Sequence, residues 1–175
     1  YGWTTYARAS GIRAGLAKNG VTFAGTQKQS EMPTTIYQEL PSSEFVSFEA
    51  GLAMRATDEN YAGIGLLRFQ RKSGKEAAQS PYIGKETDAP ASEGLLLAKT
   101  PEGRIAYRTI QNTTLSNWTV IGAEKWPDTA PGADPAQVPL VIEVQDAKKN
   151  LFRLRLGERT LAGDIEVKGL VRAGQ

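Results

Sequence analysis

A chain of 175 residues with 40% aliphatic or aromatic and 23% charged side chains has the composition of a folded domain, not of a disordered polar segment. Its formal net charge of +2 is too small for an electrostatic footprint on nucleic acid, despite a pI near 8.8. It holds neither Cys nor His, which excludes disulfides, thiolate zinc sites, a thiol nucleophile and any histidine-based triad.

Any chemistry would therefore fall to carboxylates, Lys, Tyr or Ser. No run of about 18 apolar residues occurs, so no membrane insertion is expected. The opening Tyr1, where a Met would start a primary product, is read as the mark of a piece processed or excised from something longer.

Residues 1–32 are Gly-rich and weakly patterned, and are read as an irregular lead-in or linker. Ala7, Ile12 and Leu16 have the spacing of a short helix, but Gly11 and Gly15 each weaken it by roughly 1 kcal/mol relative to Ala. "VTFAG" is a candidate strand. From Pro33 to the end the pattern becomes that of a β-sandwich domain, 33–175. "PTTIYQEL" carries β-branched and aromatic residues. "EFVSFEAGLAMRA" then alternates, with Val46, Phe48, Ala50, Leu52, Met54 and Ala56 on one side and Ser47, Glu49 and Arg55 on the other. A period of two marks a strand with one buried face, and a charge at Leu52 is expected to unfold the domain.

"TDEN" makes a turn and "YAGIGLLRFQRK" returns as a strand. Its Gly63 and Gly65 fit either a bulge, the close approach of another backbone, or relief of crowding in a curved sheet. Residues 72–93 form a long polar excursion of the kind that often carries function. "GLLLAKT" and "RIAYRTIQ" flank the turn "PEG", and "NWTVIGAEKW" runs into a stiff loop with prolines at 127, 131, 135 and 139. The hairpin "VPLVIEVQDAKKNLFRLRLGERTL" places Val138, Leu140, Ile142 and Val144 on one face of its first arm. Phe152, Leu154 and Leu156 oppose Arg153 and Arg155 on the second. "GDIEVKGLVRA" puts Ile165, Val167 and Val171 on one side. Short strands joined by turns, with at most one poor helix, predict an all-β, two-sheet antiparallel β-sandwich.

The order of "FVSFEAGLAMRA", "YAGIGLLRF", "GLLLAKTPEGRIAYR" and "PLVIEVQDAKKNLFRLRLGERTL" resembles the concanavalin A-like lectin/glucanase superfamily, particularly its laminin-G-like members. "LRLGERTL" is similar to the ending of their last two strands. The resemblance covers roughly residues 34 to 171 and implies a jelly roll whose concave face or loop rim binds carbohydrate. Some members bind calcium, some are glycosidases and many are structural modules.

A glycosidase needs two carboxylates at a set separation. In "GDIEVKG", Asp164 and Glu166 share strand parity, but Lys168 stands where the superfamily's retaining glucanases carry a third acid. Solvated strand faces explain these residues, and no catalytic residue is assigned. Sugar binding calls for aromatic rings with polar neighbours. The candidates are Tyr82 in the long loop, Trp126 beside Pro127, and Tyr107 next to Arg108, although the parity of Tyr107 with Ile105 favours the core. Trp118 is read as core; Trp126 fits core or surface. Calcium, the one cofactor considered, would draw on Asp58, Glu59, Asn60, Asp128 and Asp134, yet turn chemistry accounts for the first three. Arg68, Arg71, Lys72 and Lys75 read as a guarded sheet edge, or more sharply as a contact for acidic polysaccharide or lipopolysaccharide phosphate.

The expectation is a non-catalytic module that binds a glycan or cell-surface polysaccharide. It would belong to a larger extracellular, periplasmic or virion-associated protein such as a phage tail component. The alternatives are a structural assembly module, homo-oligomeric or packed on neighbouring domains, and a glycoside hydrolase or lyase.

Overall fold

A computed structural model of the chain describes residues 4–6, 12–17, 20–25, 35–37, 46–68 and 91–171. It divides into two compact units, Tyr1–Pro41 with Phe69–Ala91, and Ser42–Arg68 with Ser92–Gln175.

In the first unit, β1 (Thr4–Tyr6) pairs antiparallel with β4 (Thr35–Tyr37). Strands β2 (Ile12–Ala17) and β3 (Gly20–Gly25) form a hairpin with only Lys18 and Asn19 between them. The candidate strand "VTFAG" is thus β3. Ile12 and Leu16, whose spacing suits a helix, lie instead on extended β2: two glycines weaken the helix, and pairing with β3 satisfies the backbone without it.

The second unit is a β-sandwich of two antiparallel sheets, with no helix among the described residues. β5 (Ser47–Ala53) belongs to one sheet. The chain then crosses to the other and runs through β6 (Ala62–Arg68), β7 (Glu93–Lys99), β8 (Arg104–Gln111), β9 (Thr114–Leu115) and β10 (Thr119–Lys125). It returns through β11 (Gln137–Asp146), β12 (Leu151–Leu156) and β13 (Arg159–Glu166). The four-stranded sheet has the order β13-β12-β11-β5; the five-stranded one runs β10-β8-β7-β6, with β9 also on β8.

Register turns the period of two into rows of side chains. Phe48, Ile142 and Leu154 stand side by side across β5, β11 and β12, as do Ala50, Leu140 and Leu156. From the facing sheet come Ile64, Leu95, Leu97, Ile105 and Ile121, and these two inner faces make one apolar layer. Phe48 and Leu52, on an edge strand, pack against it while half-buried; Leu154 is fully enclosed. Val46 departs from its expected face. It precedes β5 and is 69% exposed, because the layer no longer extends over it. Fully burying each large apolar side chain contributes roughly 1.5–3 kcal/mol.

The end of the layer is closed by Lys99, which shares parity with Leu95 and Leu97 and is 0% exposed. Its Nζ donates to the carbonyls of Asp58, at 2.5 Å, and Thr100, at 3.1 Å. The Asp58 carboxylate in turn accepts the Arg55 backbone N–H at 2.8 Å, the turn chemistry expected of "TDEN". Burial lowers the Lys99 pKa, an effect opposed by the negative charges of Asp58 and Glu102.

With its folded pKa below its unfolded value, Lys99 binds fewer protons in the native than in the unfolded chain between those two values. Stability therefore rises with pH across that window, which ends near the ordinary lysine value of about 10.4. In urea unfolding, wild type should gain on Lys99→Met as pH climbs through it; a difference that stays flat contradicts the burial of a charged amine.

Candidate functional site

The two sheets treat their outer faces differently. On the four-stranded sheet, the row Ser47–Glu143–Arg153 lies beside the row Glu49–Val141–Arg155. Glu143 Oε2 stands 3.7 Å from Arg153 and 3.6 Å from Arg155, and Arg155 also reaches Glu158 at 3.6 Å. These long, partly solvated ion pairs add little stability, but they balance the charge of that face. Val141 is buried beneath their stems.

On the five-stranded sheet the corresponding row is Gly63–Ala98–Ala106–Val120, side chains too small to cover their own strands. A Cβ at Gly63 would stand 2.1 Å from the Leu97 carbonyl oxygen and 2.6 Å from the Ala98 Cα. Gly63 thus marks the close approach of another backbone. No bulge is involved, since the register runs unbroken from Ala62↔Lys99 to Arg68↔Glu93. At Gly65 a Cβ would meet the flexible end of Leu96 at 2.4 Å.

Over this trough lies an aromatic pair. Tyr61 directly precedes β6 and Trp118 directly precedes β10, strands at opposite edges of the sheet. Their rings are stacked with centroids 4.9 Å apart and planes inclined by 16°. The two can meet only by lying across β7 and β8, which explains why outward-facing Ala106 and Ala98 are just 0% and 4% exposed. The guanidinium of Arg108, which shares Ala106's face, sits 5.2 Å from the Trp118 ring centroid in cation–π geometry. Its Nη2 donates to the Ser116 carbonyl at 2.8 Å. Burial lowers the Arg108 pKa and Tyr61 acts against that shift, but an arginine stays protonated. Tyr61 is 50% exposed, so the stack faces solvent, and Val120 on β10 is exposed as well.

The residues expected to contact ligand are placed as follows. Arg108 belongs to the outer face. Tyr107 points the other way and packs against the core. Trp126 is 1% exposed; its indole N–H donates to the Met54 carbonyl at 3.0 Å and its backbone N–H to Gly103 at 2.7 Å. It presents no ring face to solvent, and the surface alternative for it is corrected: burial with a satisfied N–H makes it a core residue. Tyr82 lies outside the described residues, as do Arg71, Lys72 and Lys75. Arg68 turns to the Gly169 carbonyl. Trp118, expected in the core, is instead half of the surface stack, and Tyr61 carried no expectation of its own.

Two open cavities of about 590 and 570 Å³ lie at the end formed by the 147–150 turn and residues 166–169, sharing Glu166, Lys168 and Gly169. The Gln111 side chain locks the Lys168 backbone there through two bonds of 3.0 Å. Asp164 and Glu166 serve different neighbours: Asp164 accepts from Gln145 Nε2 at 2.8 Å, and Glu166 lies 3.8 Å from Lys168 Nζ. No aromatic ring lines either cavity. Among the described residues no three acidic side chains are grouped to hold a metal ion. Comparison of the chain with models of known protein families, with curated proteins and with solved structures finds no match.

Gly63→Ala should lower stability by about 1–3 kcal/mol, because β6 and β7 must separate to admit the methyl group. Gly163→Ala is the control, since its Cβ would meet only Gln145 Oε1, at 3.5 Å. Equal denaturation midpoints for the two variants would contradict the close approach at Gly63.

Proposed function

We propose that this chain is a non-catalytic module that binds a glycan or cell-surface polysaccharide on the outer face of its five-stranded sheet. The observation that carries the reading is the Tyr61–Trp118 stack, a half-exposed aromatic surface laid over a floor of Gly and Ala. A pyranose ring has an apolar face of C–H groups and a rim of hydroxyls. The aromatic surface suits the first, and the phenolic hydroxyl of Tyr61 and the free donors of Arg108 suit the second. On this account the binding surface is the sheet itself, not the loop rim around Trp126.

The concanavalin A-like resemblance, and with it a jelly-roll connectivity, belongs to the same proposal. Its support is the pair of antiparallel sheets enclosing one apolar layer, with β5 carried beside β11 across a long stretch of chain. A glycan-binding sandwich of this kind suits a larger extracellular or virion-surface protein, a phage tail component among them.

Screening the full chain on a glycan array tests the reading. Wild type should bind a subset of glycans, and Tyr61→Ala and Trp118→Ala should each weaken that binding at least about tenfold, or about 1.4 kcal/mol, while keeping the wild-type far-UV circular dichroism. Binding unchanged in both variants, or no binding by wild type to any glycan, contradicts it.

A further inference from the structure

We infer that the ligand of this face is an anionic oligosaccharide, one that carries carboxylate or sulfate groups at intervals along its chain; the inference rests on the glycan-binding reading above. Its basis is the charge left over on the five-stranded sheet. The strands β6, β7, β8 and β10 hold only two carboxylates, Glu93 and Glu124. Glu93 has the parity of Leu95 and accepts the Ser92 hydroxyl, away from the outer face. Glu124 is taken by Arg159 of β13 at 2.6 Å. On the outer face itself stand Arg104 and Arg108, on either side of Ala106.

Both arginines are fastened without being neutralised by any described residue. Arg104 Nη2 donates to the Gly122 carbonyl at 2.6 Å, as Arg108 Nη2 does to Ser116, and carbonyl partners leave the full positive charge in place. Among the described residues no carboxylate lies within 4 Å of either guanidinium. The Nε of each is buried with no hydrogen-bond partner, as is that of Arg155 on the other sheet, so part of each guanidinium is withdrawn from water while the Arg104 Nη2 bond stays exposed. A partly desolvated cation with no counter-charge is costly to hold, and an arriving anion removes that cost. The guanidinium fork is suited to the flat carboxylate and to sulfate oxygens. Four residues of extended strand set the two arginine Cα atoms about 13 Å apart, a spacing that suits repeated charges on an oligomer better than one acidic sugar.

The contrast with the opposite sheet is direct. There Arg153 and Arg155 share Glu143, and Glu158 adds a second acid. Among the described residues, the sandwich balances its cations on one outer face and leaves them unbalanced on the face that carries the aromatic stack.

Isothermal titration of the full chain with three hexamers tests this: oligogalacturonate, a heparin-derived hexasaccharide and neutral cellohexaose. At least one anionic hexamer should bind about tenfold or more tightly than cellohexaose, with affinity falling as NaCl is raised. Binding of oligogalacturonate shows that carboxylate suffices, whereas binding of the heparin hexamer alone, which carries carboxylates too, assigns recognition to sulfate. Arg104→Gln with Arg108→Gln should remove that preference, and Arg108→Lys alone should keep part of it. If cellohexaose binds as tightly as both anionic hexamers, or salt leaves wild-type binding unchanged, the anionic inference falls and the sugar-binding face stands. If no hexamer binds, the anionic inference falls, and the array result alone decides the sugar-binding reading.

Discussion

Successive side chains on a strand point to opposite sides, and in this chain that single constraint decides both what is buried and what is left to meet a partner. Once Leu95, Leu97 and Ile105 face Leu140, Ile142, Phe152 and Leu154, the alternate residues of every strand are committed to the two outer surfaces. The dry layer leaves no freedom there: slipping β11 by one residue would drive Glu143 inward and carry Ile142 into water. Lys99 shows how strict the layer is at its end, since a lysine of inward parity is accepted only with its amine handed to backbone carbonyls.

The outer faces are thus by-products of the core, and what the sequence places on them is informative. The four-stranded sheet covers its outer side with long charged side chains whose signs cancel. The five-stranded sheet does the opposite, with Gly, Ala and a stacked Tyr and Trp flanked by arginines that lack acidic partners among the described residues. Aromatic cover could serve only to shield Ala98 and Ala106. Shielding does not by itself call for a half-exposed ring or for uncompensated charge beside it, and those two features favour a ligand.

Much of the sandwich was legible as alternation. β5, β11 and β12 read directly from their period of two, and the 138–161 hairpin has the register its apolar residues require. The site was less legible, for two physical reasons. Trp118 and Trp126 stand eight positions apart, so an unbroken strand would place both on one face. A bulge intervenes: Val120 pairs with Ala106 and Lys125 with Arg104, and Gly122 takes a φ of 55°. The additional residues turn Trp126 into the core while Trp118 stays outside. Tyr61 was missed because its partner is remote in sequence and is found only through strand order. Nothing local marks the residue before β6 and the residue before β10 as neighbours across two intervening strands.

Because the chain has no cysteine, a single introduced thiol reports on one position at a time. The most direct trial of the two-sided strand is the rate of maleimide labelling of thiols placed singly at Phe152, Arg153, Leu154 and Arg155 under native conditions. Slow labelling at 152 and 154 with fast labelling at 153 and 155 is the predicted result. Uniform rates, or the inverse alternation, would contradict the enclosed layer and remove the basis for the outer face derived from it.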